Sequence, residues 1–326
     1  MARLPTVSAM FLTRGRPQLI ERALLAVLAD PALSEAIVVI DGEDPATSVA
    51  LGRIAEQDPR VKLSSTPPPR PDGLDRVQRG RDHGVELANS EVILSLDDDV
   101  IAHPGLVEGH ARRHAEGDAD LVVVGYMPVV TPPRWPRSHA PVRFYAEAYE
   151  SHCDEFAADR HSILRNLWAG NISIRRATWL QAIDAPRVST YHDDQELGLL
   201  LERSGAQATF DRSLRGDHHY ERNLRGFAVR AERTTEATAQ LRAAFPESLP
   251  APEPLHPRPE IRALLFLSRS AAGWFAIRWG LIGATATAAA LRITGMEELF
   301  ARALWRIATE RAQRGLSNPS SAGGVE

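Results

Sequence analysis

The stretch EVILSLDDDVIAHP, residues 91–104, holds the contradiction on which the fold turns: a run of buried-strand residues that ends in three consecutive aspartates. Val92, Ile93, Leu94 and Leu96 read as a strand covered on both faces, and Asp97, Asp98 and Asp99 stand where the chain leaves the sheet. Adjacent carboxylates repel one another, and they hold their charges at low cost only in open water or around a cation. By itself the triplet fits a solvated acidic turn and a metal site equally well.

Outward from this stretch, short apolar runs at 7–12, 36–40, 92–96 and 121–124 alternate with helical spacing at 17–28, 74–88 and 106–114. Such alternation predicts an α/β fold, a mostly parallel sheet flanked by helices. Ligands of such sheets sit beyond the carboxyl ends of the strands. Thr13-Arg14-Gly15-Arg16 follows the first run, Asp41-Gly42-Glu43-Asp44 the second, and the aspartate triplet a later one. Acids after two separate strands favour a site over a solvated turn.

Composition bounds the function. A chain of 326 residues, 44% hydrophobic and 25% charged, is a soluble globular protein large enough for one sizeable α/β domain plus an appendage. A net charge of −4 leaves no electrostatic footprint for nucleic acid. Lys62 is the only lysine, which removes lysine chemistry from nearly every mechanism. The lone Cys153 excludes an internal disulfide framework and a cysteine-rich zinc site, and it fits a reducing compartment. With no charged-then-apolar leader pattern at the N-terminus, the expected location is cytoplasmic, with a peripheral position at the inner face of the membrane as the variant.

Proline clusters divide the chain. TPPPRPDGLDR (66–76) reads as a loop, and 126–167, where Pro128, Pro132, Pro133, Pro136 and Pro141 mix with Trp135, Phe144, Tyr145 and Tyr149, reads as a long irregular stretch, packed either over something bound or simply on the surface. The expected organisation is a catalytic domain 1–245 (donor half about 1–125, acceptor half about 126–245), a Pro-rich linker 246–260, a helical segment 261–315 and a disordered tail 316–326. Within the helical segment, 261–292 and 296–314 read as helices. The uncharged run from Trp279 to Leu291 is too short to span a bilayer. On one continuous wheel Arg269 and Arg278 fall on opposite sides, which speaks against a clean basic membrane face. Packing on the catalytic domain or in a homo-oligomer is therefore expected ahead of peripheral membrane contact.

The order of motifs also carries a resemblance. VSAMFLTRGRP, AIVVIDGED, GRDHGVELANSEVILSLDDDV, WAGNISIRR and YHDDQELGLLLERSG resemble, in sequence order and over about residues 5–220, the inverting family 2 glycosyltransferases. Two departures are Asp82, where Asn is commoner, and Gly42-Glu43-Asp44 in place of the usual Asp-Gly-Ser. The resemblance implies a GT-A nucleotide-diphospho-sugar transferase fold with a DxD motif. It also implies transfer of a sugar from a nucleotide-sugar donor to an unknown acceptor: glycan, lipid, peptide or small natural product. It assigns Thr13, Arg16, Asp41, Arg81, Asp97 and Asp98 to the nucleotide sugar. Asp41 would accept a hydrogen bond from a uracil imide, favouring UDP, although GDP or dTDP donors suit the same fold. Asp99, with Asp97, would hold the metal, and His218 or His219 would add a nitrogen ligand. Asp98, between them, is expected to point elsewhere as a solvated acid. Gly170, Asn171 and Trp168 would face the acceptor.

The chemistry is consistent with these assignments. Hard oxygen ligands suit Mn2+ or Mg2+, imidazole favours manganese, and either ion stabilises the charge that grows on a departing diphosphate. Asp193 and Asp194 precede the apolar pattern Leu197, Leu200, Leu201 and so open a helix. An N-cap role for Asp193 and the helix dipole account for both acids without catalysis, and the same dipole keeps a catalytic carboxylate ionised. The resemblance assigns Asp194 as general base, with Asp193 beside it. Two other classes compete. LDDDVI is a near miss for the haloacid-dehalogenase phosphatase signature, but that class places its nucleophile near the start of the domain and usually a lysine between its motifs, and Lys62 lies upstream. A non-enzymatic, metal-stiffened module binding a glycan or protein is the third.

Overall fold

A computed structural model describes residues 3–68, 76–134, 137–189, 191–250 and 259–316. Trp135, Pro136, most of the 66–76 loop, most of the Pro-rich linker and the tail from 317 lie outside the described residues.

Strand β1 (Val7–Thr13) is buried along nearly its whole length because no charged side chain interrupts it. Helix α1 (Pro17–Leu28) begins at a proline, whose fixed φ suits the first helical turn, and buries Ile20, Ala23, Leu24 and Val27 on one stripe. The chain continues through β2 (Leu33–Ile40), α2 (Pro45–Gln57), β3 (Val61–Ser65), α3 (Arg76–Leu87), β4 (Val92–Asp97) and β5 (Val100–Ala102). Next come α4 (Leu106–Glu116), β6 (Leu121–Tyr126), α5 (Ala140–Ala158), α6 (His161–Arg165), β7 (Asn171–Arg175) and α7 (Arg176–Ile183). The last elements are α8 (Asp193–Arg203), β8 (Gln207–His218), α9 (Leu224–Ala244), α10 (Pro259–Leu267), α11 (Ala271–Ala290) and α12 (Thr294–Gln313).

The eight strands form one sheet in the order β3-β2-β1-β4-β7-β6-β8-β5. The pairs β2·β3, β1·β2, β1·β4 and β6·β8 are parallel, and the three pairs made by β7 and β5 are antiparallel. One face of the central strands (Val7, Ala9, Phe11, Val38, Leu94, Leu96) packs on α1 and on Leu106, Val107 and Ala111 of α4. On the other face α3 approaches β1 closely. A Cβ at Gly84 would lie 2.7 Å from Met10 Cγ, so a side chain there has no room.

Three expectations are corrected. The irregular stretch 126–167 is mostly helix: its prolines stop at Pro141, in the first turn of α5, and the Ala- and Glu-rich residues after it have nothing to break them. The single helix expected over 261–292 is two, α10 and α11, because the Ser270 side chain caps α11 by accepting from the Gly273 amide at 3.0 Å. The sequence also reads as a strand over 207–211 followed by a loop before the His218-His219 pair, but the strand runs on to His218. It passes a register shift beside Gly125 and Tyr126 and then pairs with β5.

Two compact units divide the chain. One comprises Met1–Val130 and Tyr149–His219, and holds the sheet; the other comprises Thr131–Ala148 and Tyr220–Glu326. In the second, α9 joins α10, α11 and α12 around Phe227, Ala231, Leu265, Trp274, Leu304 and Ile307. A buried Arg143–Glu297 ion pair, with the Ser138 hydroxyl donating to Glu297 at 2.9 Å, lies in this unit. Helix α9, expected within the catalytic domain, thus packs with the C-terminal helices.

Candidate active site

The aspartate triplet is the corner between β4 and β5. Asp97 ends β4, and its amide donates to the Gly170 carbonyl at 3.1 Å because the antiparallel β4·β7 register sets Leu96 against Asn171. Asp98 and Asp99 form the turn, and β5 then pairs antiparallel with β8, placing Val100 opposite His218. That register carries His218 Nε2 to 3.2 Å from Asp99 Oδ1.

The protein itself relieves much of the repulsion in the triplet. Arg16 Nη1 lies 2.7 Å from Asp99 Oδ2 and 3.1 Å from Asp98 Oδ1, and the Thr13 hydroxyl donates to Asp98 Oδ2 at 2.7 Å. Arg81 Nη2 donates to Asp97 Oδ1 at 3.2 Å. Asp98 is therefore no solvated acid: it is 7% exposed, and burial, only partly offset by Arg16, pushes its carboxyl up to about 6. For Asp99, burial also works upward, but the His218 hydrogen bond and the charges of His218 and Arg16 prevail and hold it below the ordinary value.

Asp97, Asp99 and His218 offer ligand atoms that all lie within 4.8 Å of one another. Two carboxylates and an imidazole converging at a strand end suit a divalent cation. His219 is set apart from this group: its amide donates to the Asp99 carbonyl at 2.8 Å, while its ring lies 3.5 Å from Arg22 Nη2.

From the other side, the first turn of α8 approaches the same centre. Asp193 Oδ2 accepts from Arg81 Nη1 at 2.5 Å, so Arg81 bridges Asp193 to Asp97. Burial would lower the Arg81 pKa, but Asp193, Asp97 and Asp194 outweigh it and raise it, so the bridge stays charged. The Gln195 amide donates to Asp194 Oδ1 at 2.8 Å. Burial first, and Asp193 second, push its carboxyl up to about 6. Asp193, Asp194, Arg81 and Asp82 line one small pocket together with Trp179 and Arg187.

Other predicted residues occupy defined places. Asp41, at the end of β2, is 4% exposed and receives Arg76 Nε at 2.8 Å and Arg14 Nη1 at 3.9 Å on Oδ2. Gly170 is required by close approach: a Cβ there would meet Asp97 Oδ2 at 2.6 Å and Met127 Sδ at 2.7 Å. Trp168 packs at a tilt against Tyr149 and edge-on against His152, with ring centroids 5.0 and 5.1 Å away. The Asn171 side chain is spent inside the sheet, donating to the Leu214 carbonyl at 3.0 Å and meeting His110 Nε2 at 3.1 Å.

Sequence reasoning missed the clamp behind α8. Glu196, fully buried, accepts from Gln78 Nε2 and Arg187 Nε at 3.0 Å each and from the amides of Val188 and Ser189. It ties α3, the 187–189 loop and α8 together, and so fixes where Asp193 and Asp194 point. Its partners lie up to 118 residues away, and an acid in a first helical turn gives no signal beyond the dipole.

An acidic and histidine-bearing corner at the carboxyl edge of a mixed α/β sheet, faced by an acidic helix start, is the architecture of a GT-A glycosyltransferase. Residues 8–176 match the family described as Glycosyl transferase family 2, and the chain belongs to that family. No curated protein sequence matches it significantly. Among solved structures it is similar to a mannosyltransferase from Pyrobaculum calidifontis in complex with GDP-Man and Mn2+. The identity is 16%, with 97% of this chain and 89% of that one covered and a TM-score of 0.54. It is also similar to glucosyl-3-phosphoglycerate synthase from Mycobacterium tuberculosis, in complex with Mn2+, UDP and phosphoglyceric acid. Here the identity is 17%, coverage 76% and 80%, and the TM-score 0.51. At such identities the likeness establishes the fold. Family membership sets aside the phosphatase, as does a triplet that follows three parallel strands instead of opening the domain.

Proposed function

We propose that the protein is a metal-dependent, inverting glycosyltransferase that moves a sugar from a nucleotide-diphospho-sugar to a hydroxyl or other nucleophile of its acceptor. The observation that carries this reading is the bridge Asp97–Arg81–Asp193, which joins the metal-competent corner to a helix start where Asp194 keeps a raised pKa. Asp97, Asp99 and His218 would hold Mn2+ or Mg2+, as the Mn2+ complexes of both similar enzymes support, and the ion would neutralise charge on the leaving diphosphate. Thr13 and Arg16 support Asp98 and Asp99 beneath the diphosphate, and Arg81 offers a second cation. Asp41 reads the base. A UDP donor is favoured because a buried carboxylate, with Arg76 and Arg14 beside it, can accept the uracil N3–H.

Asp194 takes the acceptor's proton as the nucleophile attacks the anomeric carbon on the face opposite the diphosphate. A base with pKa about 6 is mostly ionised at neutral pH, yet basic enough to accept that proton. Asp193, committed to Arg81, positions that arginine. Gly170 and Trp168 flank the acceptor, and Asn171 supports the strand beneath them. Asp194→Asn keeps the shape and removes the charge, so transfer should fall about 10²–10⁴-fold with donor affinity nearly intact. Near-normal transfer by Asp194→Asn, with loss in Asp193→Asn, would exchange the two roles. Two active variants would discard the mechanism.

A further inference from the structure

Helix α11 turns an uncharged face to solvent. Its one charged residue, Arg278, is half-buried, and Nη2 donates inward to the Arg225 carbonyl at 3.1 Å. The outward side is Phe275, Trp279, Gly280, Gly283 and Ala286, with Phe275 66% exposed. Phe266 and Leu267 of α10 extend this surface at one end, and Leu291 at the other, exposed by 65%, 56% and 64%. Isolated exposed apolar residues are ordinary, but a contiguous series on successive elements of one helical unit marks an interaction surface.

Charge selects the partner. Residues 261–296 contain four arginines and no acid, in a chain whose net charge is −4. Arg262, Arg269 and Arg292 are exposed, and two aromatic rings carry guanidinium groups: Arg269 over Phe266 at 5.2 Å and Arg225 over Trp279 at 4.8 Å. Cations at the rim of an apolar face match anionic headgroups above an acyl boundary. A symmetric dimer through the same face would bring like charges together with no acid from this segment between them. The wheel argument against a membrane face also lapses, because Arg269 stands in the turn between α10 and α11 instead of on α11. Among the described residues no helix is long and apolar enough to cross a membrane, so the surface would rest in the interface.

We propose that α10, α11 and the turn after α11 form a docking surface for a bilayer bearing anionic phospholipids, with Phe275 and Trp279 at the acyl boundary and the exposed arginines on headgroup phosphates. The test is co-sedimentation of the full chain with vesicles of phosphatidylcholine, with and without phosphatidylglycerol. It reads binding and is independent of transfer. The mixed vesicles should bind at least ~10-fold more protein, with binding falling as salt rises. Phe275→Ser with Trp279→Ser should lower the partition at least ~10-fold. Arg262→Gln, Arg269→Gln and Arg292→Gln together should remove the preference for phosphatidylglycerol. Thermal unfolding without vesicles should match the wild type, and if the double serine variant misfolds, Phe275→Ser alone serves. The proposal is overturned by no sedimentation with either vesicle or by equal binding to both. It is also overturned by a dimer in sedimentation velocity that the serine variants dissociate while vesicle binding is absent.

Discussion

Asp98 shows how much a single residue's neighbours change its meaning. In the sequence it is the middle acid of a turn; in the structure it is buried under the Thr13 hydroxyl and Arg16. Those partners lie 85 and 82 residues away, and no local pattern could have named them. Asp98→Ala leaves the Thr13 hydroxyl and part of the Arg16 guanidinium unanswered, and should lower unfolding free energy by about 1–3 kcal/mol in a urea titration. A variant as stable as the wild type would show that the corner is open to water. Asp194 makes a prediction in pH. Its folded-state pKa of about 6 stands above the ordinary 3.8, so the folded chain binds this proton more tightly than the unfolded one. Ionising it therefore lowers stability as pH rises through the window from about 4 to about 6, and Asp194→Asn should melt higher than the wild type at pH 7. Transfer has the opposite dependence. As the required base protonates, kcat/KM should fall about tenfold per pH unit below about 6 and level off above it. A profile flat down to pH 4.5 would remove Asp194 from the role.

At the scale of elements, register does the positioning. The triplet and His218 meet because β5 pairs with β8, and Asp97 faces Gly170 because β7 runs antiparallel to β4. Strands β1, β2 and β4 were legible because buried parallel strands are continuous apolar runs, whereas β3, VKLSS at the sheet edge and mostly only half-buried, was not. Strand β8 was only half legible, since its pairing passes from β6 to β5 across polar residues, and α5 was hidden by the prolines before it. The helix carrying the acids is held by contact as well as by Glu196. A Cβ on Gly198 of α8 would lie 2.1 Å from the Leu164 carbonyl oxygen of α6 and 2.7 Å from Leu167 Cβ, and backbone cannot rotate away as a side chain can. Gly198→Ala should cost about 1–3 kcal/mol and, by pushing the start of α8 aside, also lower transfer. Thermal melts and transfer rates measured on the same preparation test both. An unchanged melting temperature would mean that α6 and α8 are not packed this tightly.

At the scale of the molecule, the chain joins a sheet-bearing unit with the transferase corner to a helical unit with an apolar, arginine-rimmed face. The order of motifs in the sequence was sufficient to identify the first, because most of them sit at the carboxyl end of a strand or the start of a helix, and Gly170-Asn171 opens the antiparallel strand beside them. The second was harder to read, since its inner and outer faces are both apolar and periodicity cannot tell them apart. The central claim is that the Asp97, Asp99 and His218 corner works with a divalent cation to release a nucleotide from a nucleotide sugar. The direct measurement is nucleotide diphosphate released from a panel of UDP-, GDP- and dTDP-sugars with manganese, by the wild type and by Asp99→Ala. Even without its acceptor, the wild type should release nucleotide slowly from one donor, stop in excess EDTA and recover when manganese is restored, while Asp99→Ala releases none. Release that persists undiminished in EDTA, or in Asp99→Ala, would contradict the account.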